Sequence, residues 1–365
     1  MSNMRNICFF NTYKHWGGAE KWHAAVARAC RDHGDAVVVV TNRRSALFQQ
    51  LASEPNITLR PCAISNLSFL NPLKIFRVAR LFKQHDIQTI VLNLSADVKA
   101  AGIAAKLAGV RQIIYRRGAA VPVKNSWLNR LLFRHVITHV IVNSQEIRRA
   151  MLLHNAALIP PERMTVLYNG LDLAAFDRQP VTLVPRSAGE CVIGNAGRFV
   201  AQKGQHHLIE LARRLKAQGE RFRLLIAGSG ELEGELIHAA ADAGVADQIE
   251  FLGFVERMPQ FFAEIDLFVL PSQHEGSSNT VLEAMAARKP VVAFNVSSLP
   301  EMVVSGETGL LVEAGSVAAL TQAVTTLIHD EPLRKTYGEN GRKRVEERFS
   351  MQRMLRDFRA VIEHE

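Results

Sequence analysis

A chain of 365 residues with 48% hydrophobic content is long enough for two α/β domains with separate cores, and no stretch approaches the roughly 20 uninterrupted apolar residues of a membrane span. Its formal charge of +9 is uneven: residues 1–172 carry 23 Lys/Arg against 9 Asp/Glu, which leaves 21 against 26 of the totals of 44 and 35 for the remainder, and residues 60–134 alone hold 13 bases and 2 acids. A basic half attracts nucleic acid, anionic membrane or phosphorylated substrates, and without an RNP, zinc-finger or helix-turn-helix pattern nucleic acid is the weakest of the three.

Residues 1–6 lead into a strand without a cleavable signal pattern. Cys8, Cys30, Cys62 and Cys191 are scattered without metal spacing and read as buried thiols of a reducing, cytoplasmic compartment. Residues 5–12 form the first strand. Tyr13 to Glu20 follow, with Gly17 and Gly18 at a turn, and then a helix to about His33. Strand, Gly-Gly turn and helix suit an anion, because glycine lets the backbone approach a phosphate where a Cβ would clash. Ala36–Thr41 and Ile57–Pro61 are further strands. Pro72 opens a helix to about Gln84, with Ile75, Val78, Ala79 and Phe82 on one face and Lys74, Arg77, Arg80 and Lys83 on the other. Those bases either line an ordinary surface helix or rest on an anionic membrane, and Trp127 to Arg134, aromatic and basic together, is a second candidate.

Residues 88–92 are a buried strand followed by an alanine-rich helix. The strand at 112–115 ends in Arg116-Arg117-Gly118, whose arginines suit either a phosphate or a sheet-edge salt bridge. A strand at 138–142 runs to Ser144, a helix N-cap, and residues 164–172 close the first half. Residues 173–190, with Pro180, Pro185, Ser187 and Gly189 and no periodicity, read as linker.

The second half opens with a strand at 191–195 and a turn carrying Arg198 and Lys203 ahead of a helix. Fixed positive charge at a strand–helix turn is what a departing diphosphate needs, although two unrelated surface bases give the same pattern. Phe222–Ala227 leads to Gly228-Ser229-Gly230, and residues 249–255 precede a short helix. The apolar run 266–270 ends at Pro271-Ser272 and enters residues 274–286, where a polar loop meets a helix capped by Ser278 or Asn279. The free N–H groups of 278–281 favour a phosphate. Glu275 and Glu283 are either acceptors for sugar hydroxyls or surface acids. Segments 290–294, 299–303 and 308–312 complete the sheet pattern. Residues 316–329 and 332–349 are helical, and 351–365 is amphipathic through Met354, Leu355, Phe358, Val361 and Ile362.

Glu275 and Glu283 with seven residues between, Gly197 to Gly204 as G-R-x4-K-G, and Gly17-Gly18-Ala19-Glu20 together resemble the E-x7-E retaining glycosyltransferases of family 4, over essentially the whole chain. The resemblance implies an α/β GT-B fold: two Rossmann-like domains with a cleft between them and a C-terminal helix crossing back to the first. Its implied boundaries are 1–172 for the acceptor domain, 173–190 for the linker, 191–346 for the nucleotide-sugar domain and 347–365 for the final helix. It assigns the donor diphosphate to Gly17, Gly18, Arg198, Lys203 and the N–H groups of Thr280 and Val281. The nucleobase goes to the backbone at Phe254 and Val255, the ribose to Glu283, and the sugar to Glu275 with Asn279 nearby. Gly228 keeps the space beside the donor open. Relatives often carry a histidine where Arg116 and Arg117 stand here.

The implied activity is metal-independent retaining transfer from a nucleotide sugar, UDP-linked by preference, to a saccharide or lipid-linked acceptor at the cytoplasmic face of the inner membrane. Catalysis would rest on Glu275, Arg198 and Lys203, with no cofactor. A nucleotide-sugar epimerase of the same fold and a non-catalytic scaffold subunit are the alternatives.

Overall fold

Val37 to Val40 are four consecutive β-branched residues, and such a run is comfortable only where both faces of a strand are covered, as in a parallel sheet. The computed structural model describes residues 4–118, 121–179, 181 and 189–363. It divides the chain into two units, Met1–Tyr168 with Leu355–Glu365, and Asn169–Met354.

In the first unit, β1 (Asn6–Asn11), β2 (Ala36–Thr41), β3 (Ile57–Pro61), β4 (Thr89–Leu92), β5 (Gln112–Arg117), β6 (His139–Val142) and β7 (Met164–Val166) form one sheet. Its order is β3-β2-β1-β4-β5-β6-β7, and every neighbouring pair is parallel. Phe10, Val38, Val40, Phe82, Ile90 and Leu92 lie in its main core. The helix Pro72–Gln84 forms as its pattern predicts: Asn71 caps it through Lys74 N at 3.0 Å, and Ile75, Val78, Ala79 and Phe82 are its buried residues. Ser144 likewise accepts from Ile147 N at 3.1 Å.

In the second unit, β8 (Cys191–Ala196), β9 (Phe222–Ala227), β10 (Ile249–Gly253), β11 (Leu267–Leu270), β12 (Val291–Phe294) and β13 (Gly309–Val312) form a sheet of order β10-β9-β8-β11-β12-β13, again all parallel. Both sheets reverse their winding once, between β1 and β4 and between β8 and β11. In doubly wound sheets ligands bind at that reversal, outside the carboxyl ends of the strands.

The structure departs from the sequence reading in four places. Residues 299–303 are not a strand: Leu299–Met302 is a helical turn, because Pro300 lacks the N–H a ladder needs and fits the first turn of a helix. Residues 173–177 are not linker: Asp172 accepts from Ala175 N at 2.9 Å and caps the helix Leu173–Asp177, too short to show a period. Of the remaining linker, 180 and 182–188 lie outside the described residues. Asn169 to Asp172, expected with the first domain, fall in the second unit, where Leu171 N donates to Phe349 O at 2.8 Å. The strand at 112–115 continues through Arg117.

The final helix, Met351–Glu363, returns its last part to the first unit. There Phe358, fully buried, meets the rings of Phe9 at 6.3 Å and Trp22 at 5.6 Å, and Arg359 pairs with Asp35. Among the described residues no helix is long and apolar enough to cross a membrane.

Two stability predictions follow from this packing. Phe358→Ala removes a fully buried ring and destabilises the protein by about 3–5 kcal/mol, whereas truncating the exposed Arg356 changes stability by less than about 0.5 kcal/mol; urea melts compare them. His23 packs against Phe9 and Trp22, and burial, reinforced by the Arg116 cation, takes its imidazole from 6.5 down to about 3. The unfolded chain then binds the proton that the folded chain refuses, so stability falls as pH drops from about 6.5 towards 3. In urea melts between pH 6 and 4.5, wild type loses about 1.4 kcal/mol per pH unit more than His23→Gln. Equal slopes would show that His23 takes up its proton in the folded protein.

Candidate active site

The loops after β8, β9, β10 and β11 share one edge of the second sheet, because these four strands are neighbours and run parallel. Glycine decides how closely they pack. A Cβ on Gly228 would lie 1.9 Å from the Gly197 carbonyl oxygen, and one on Gly230 2.4 Å from that of Phe199. The loop after β9 therefore lies backbone against backbone on the loop after β8, pinned by Phe199 N donating to Ser229 O at 3.0 Å. Gly204 has φ +67°, and its Cβ would fall 2.2 Å from the Pro271 carbonyl oxygen. That approach brings the loop after β8 onto the loop after β11. Gln202 Nε2 donates to His274 O at 2.8 Å, and Gln273 N donates to Gln202 O at 2.9 Å.

The consequence is an ion pair. Lys203 Nζ donates to Glu275 Oε1 at 2.7 Å, and Ser272 Oγ donates to the same oxygen at 2.7 Å. Glu275 is only 4% exposed, and Ser298 Oγ fixes its backbone carbonyl at 3.1 Å. Sequence reasoning singled out Lys203 and Glu275 separately and missed their pairing, since they stand 72 positions apart. It also missed Ser272. The signal was present: a serine two residues past a buried strand and three residues before the acid. Arg198 lies on the same loop with its side chain exposed, and Gln205 Nε2 holds its carbonyl at 3.0 Å.

The helix Asn279–Ala286 follows, with Ser278 in extended conformation at its N-cap. The Ser278 hydroxyl pairs with Thr280 Oγ1 at 3.0 Å and caps no backbone N–H, so the helix start carries no side-chain cap. An uncapped N-terminus presents N–H groups and the positive end of the dipole to an anion. Thr280 and Glu283 are half-buried and Val281 is buried, while Asn279 Oδ1 accepts from Asn169 Nδ2 at 3.1 Å. Beyond β10, Phe254 is 82% exposed beside the half-buried Val255, and Gly253 O accepts from Gly228 N at 2.7 Å. Of the predicted donor residues in this unit, Lys203 and Glu275 are in direct contact, and the others occupy neighbouring loops of one sheet edge.

The first unit has its own polar edge. Gly17, in extended conformation, is the N-cap of the helix Gly18–Asp32, again without a side-chain cap, and Gly18 is exposed. A Cβ on Gly17 would meet Glu20 Oε2 at 3.2 Å. Glu20 is buried and accepts from Asn11 Nδ2 at 2.9 Å. Thr12 is clamped to Asp97 through its hydroxyl at 2.6 Å and its N–H at 3.3 Å, and burial pushes that carboxyl up to about 6. The two arginines are buried rather than displayed. The Arg116 guanidinium lies 4.5 Å from the Trp22 ring centroid, and burial takes it down to about 10 against the opposing pull of Glu20. Arg117 donates to Tyr115 Oη at 2.9 Å and to the Val121 carbonyl. Sequence adjacency hid this, because successive strand residues face opposite ways.

Among the described residues no cluster of three or more His, Cys, Asp or Glu is placed to hold a metal ion. Cys8, Cys30 and Cys191 are buried and Cys62 half-buried, all as free thiols, and burial pushes Cys30 up to about 12. A cavity of about 990 Å³ opens elsewhere in the first unit, beside Gln88, Gln112 and Thr138 at the amino ends of strands, and contains none of the predicted site residues.

The Glycosyltransferase Family 4 profile matches residues 16–175, and the Glycosyl transferases group 1 profile matches residues 185–344. CapM of Staphylococcus aureus, a capsular polysaccharide biosynthesis glycosyltransferase, is 32% identical over 235 residues, 59% of this chain and 58% of that protein. LpcC of Rhizobium leguminosarum bv. viciae, a lipopolysaccharide core biosynthesis mannosyltransferase, is 33% identical over 209 residues, 54% of this chain and 58% of that protein. The matched part of the chain thus spans little more than half the length of these relatives. In fold, the chain is similar to HepE of Anabaena, crystallised with UDP and glucose, with a TM-score of 0.82 at 23% identity over 99% of this chain and 100% of that one. With a family profile on each half and this architecture throughout, the chain belongs to the group 1, family 4-type glycosyltransferases of GT-B fold.

Proposed function

We propose that this protein transfers a sugar, with retention of anomeric configuration and without a metal, from a nucleotide sugar to a cell-envelope acceptor such as a lipopolysaccharide or lipid-linked saccharide. The observation that carries the reading is the Lys203–Glu275 contact at the winding reversal of the second sheet, on a loop that also carries the exposed Arg198 and beside an uncapped helix N-terminus. Negative charge develops on the departing diphosphate. Arg198, Lys203 and the N–H groups at Thr280 and Val281 offset it. Glu275 accepts hydrogen bonds from sugar hydroxyls and Glu283 from the ribose. Phe254 and Val255 give the base an apolar rest.

In the transfer itself, the acceptor oxygen bonds to the anomeric carbon on the face from which the phosphate oxygen leaves, and the acceptor proton passes to that phosphate. UDP is the favoured nucleotide, on the strength of HepE crystallised with UDP and glucose. The mannosyltransferase name of LpcC keeps the sugar itself a matter for direct assay.

The envelope setting rests on the relatives' names and on the basic first unit. Leu67, Leu70, Leu73 and Phe76 are each 65–70% exposed along one segment, next to exposed Arg77, Arg80 and Lys83. Trp127 and Leu131 are exposed beside Arg130 and Arg134. Apolar side chains among cations match an anionic lipid surface.

Acceptor-free release of nucleotide from UDP-, GDP-, ADP- and dTDP-sugars should single out one donor. Arg198→Ala and Lys203→Ala should each lower kcat/KM by about 10²–10³. An epimerised sugar, or full activity in both variants, would overturn the transferase reading. In co-sedimentation with vesicles, Leu73→Ser with Phe76→Ser should weaken binding to anionic lipid roughly ten-fold or more while donor turnover in solution stays unchanged. Equal binding to purely zwitterionic vesicles would refute the electrostatic part.

A further inference from the structure

We propose that the Lys203–Glu275 pair is a latch, which makes the phosphate-binding lysine available to a nucleotide that still carries its sugar and withholds it from one that does not. The inference rests on the donor-binding reading above. Glu275 Oε1 accepts from both Lys203 Nζ and Ser272 Oγ at 2.7 Å. The two side chains of the pair are 5% and 18% exposed, so solvent does little to replace either partner. Before Lys203 reaches a phosphate, it must leave this carboxylate.

Two ligands differ in what they return to Glu275. A nucleotide sugar brings hydroxyls that donate to the vacated carboxylate, with Ser272 remaining on Oε1. The pair is then exchanged for a lysine–phosphate contact and charge-assisted hydrogen bonds of similar strength. A bare nucleoside diphosphate draws Lys203 away and leaves Glu275 buried with Ser272 alone. Leaving one charge of a buried pair without its partner is strongly unfavourable. The carboxylate therefore opposes retention of the spent nucleotide, and the same residue that recognises the sugar assists product release.

Calorimetric titration with the nucleoside diphosphate and with its sugar conjugate tests this on four proteins: wild type, Glu275→Gln, Lys203→Ala and the double variant. The first probe is UDP with UDP-glucose, then GDP with GDP-mannose. Glu275→Gln removes the charge that holds Lys203 and should bind the bare diphosphate about five- to ten-fold more tightly than wild type, with no such gain for the sugar nucleotide. A gain in affinity cannot arise from misfolding. In the Lys203→Ala background the same substitution should bring no gain, because no lysine remains to be released. If wild type binds the diphosphate, Lys203→Ala weakens it and Glu275→Gln leaves it unchanged or weaker, the latch is wrong and donor binding stands. If wild type binds neither class of ligand, both fall together.

Discussion

The approach of Gly204 to the Pro271 carbonyl governs the arrangement at the carboxyl edge of the second sheet. Two loops 67 residues apart lie within van der Waals contact because one residue lacks a Cβ and adopts φ +67°. Everything chemical nearby depends on this. The contact presents Gln202 to the His274 and Gln273 backbone, and it sets Lys203 within 2.7 Å of Glu275. The same device recurs at Gly228 and Gly230 against the neighbouring loop. Three glycines thus replace side-chain packing with backbone contact and hold the charged residues on rigid supports.

Rigid supports matter because the Lys203–Glu275 pair is largely withdrawn from solvent. Asn195 Nδ2 bonds to Val269 O across the winding reversal at 2.8 Å, and Gln205 grips the Arg198 carbonyl. The side-chain oxygens of both amides are buried without a hydrogen-bond partner among the described residues. Asn195 thereby ties β8 to β11, and Gln205 braces the loop after β8.

Local chemistry was legible in the sequence, and non-local chemistry was not. The helix Pro72–Gln84 announces itself through Asn71, Pro72 and four apolar residues in register, and the strand Ala36–Thr41 through its valines. The glycines and the E-x7-E spacing mark the loops because they are punctuation within a few residues. Leu173–Asp177 is too short for a period, and Leu299–Met302 reads as apolar whether helical or extended. The Lys203–Glu275 pair depends on strand order, which no window of sequence contains. Arg116 and Arg117 look like a surface pair because basic residues are mostly exposed, and only the extension of β5 buries them.

Arg116 of the first unit and Lys203 of the second are held in different ways, and the difference bears on which charge can move. Arg116 rests over the face of Trp22, near a Glu20 that already takes a hydrogen bond from Asn11. An aromatic quadrupole offers no site for a competing hydroxyl or proton, and a guanidinium at about 10 stays charged at neutral pH, so this cation is fixed in place and charge. Lys203 is held by a carboxylate, which a hydroxyl donor can satisfy in its stead, and its four-carbon stem lets the ammonium swing away. The exchangeable cation, Lys203, therefore sits on the loop whose position Gly204 dictates, whereas the Arg116 cation of the first unit stays where it is.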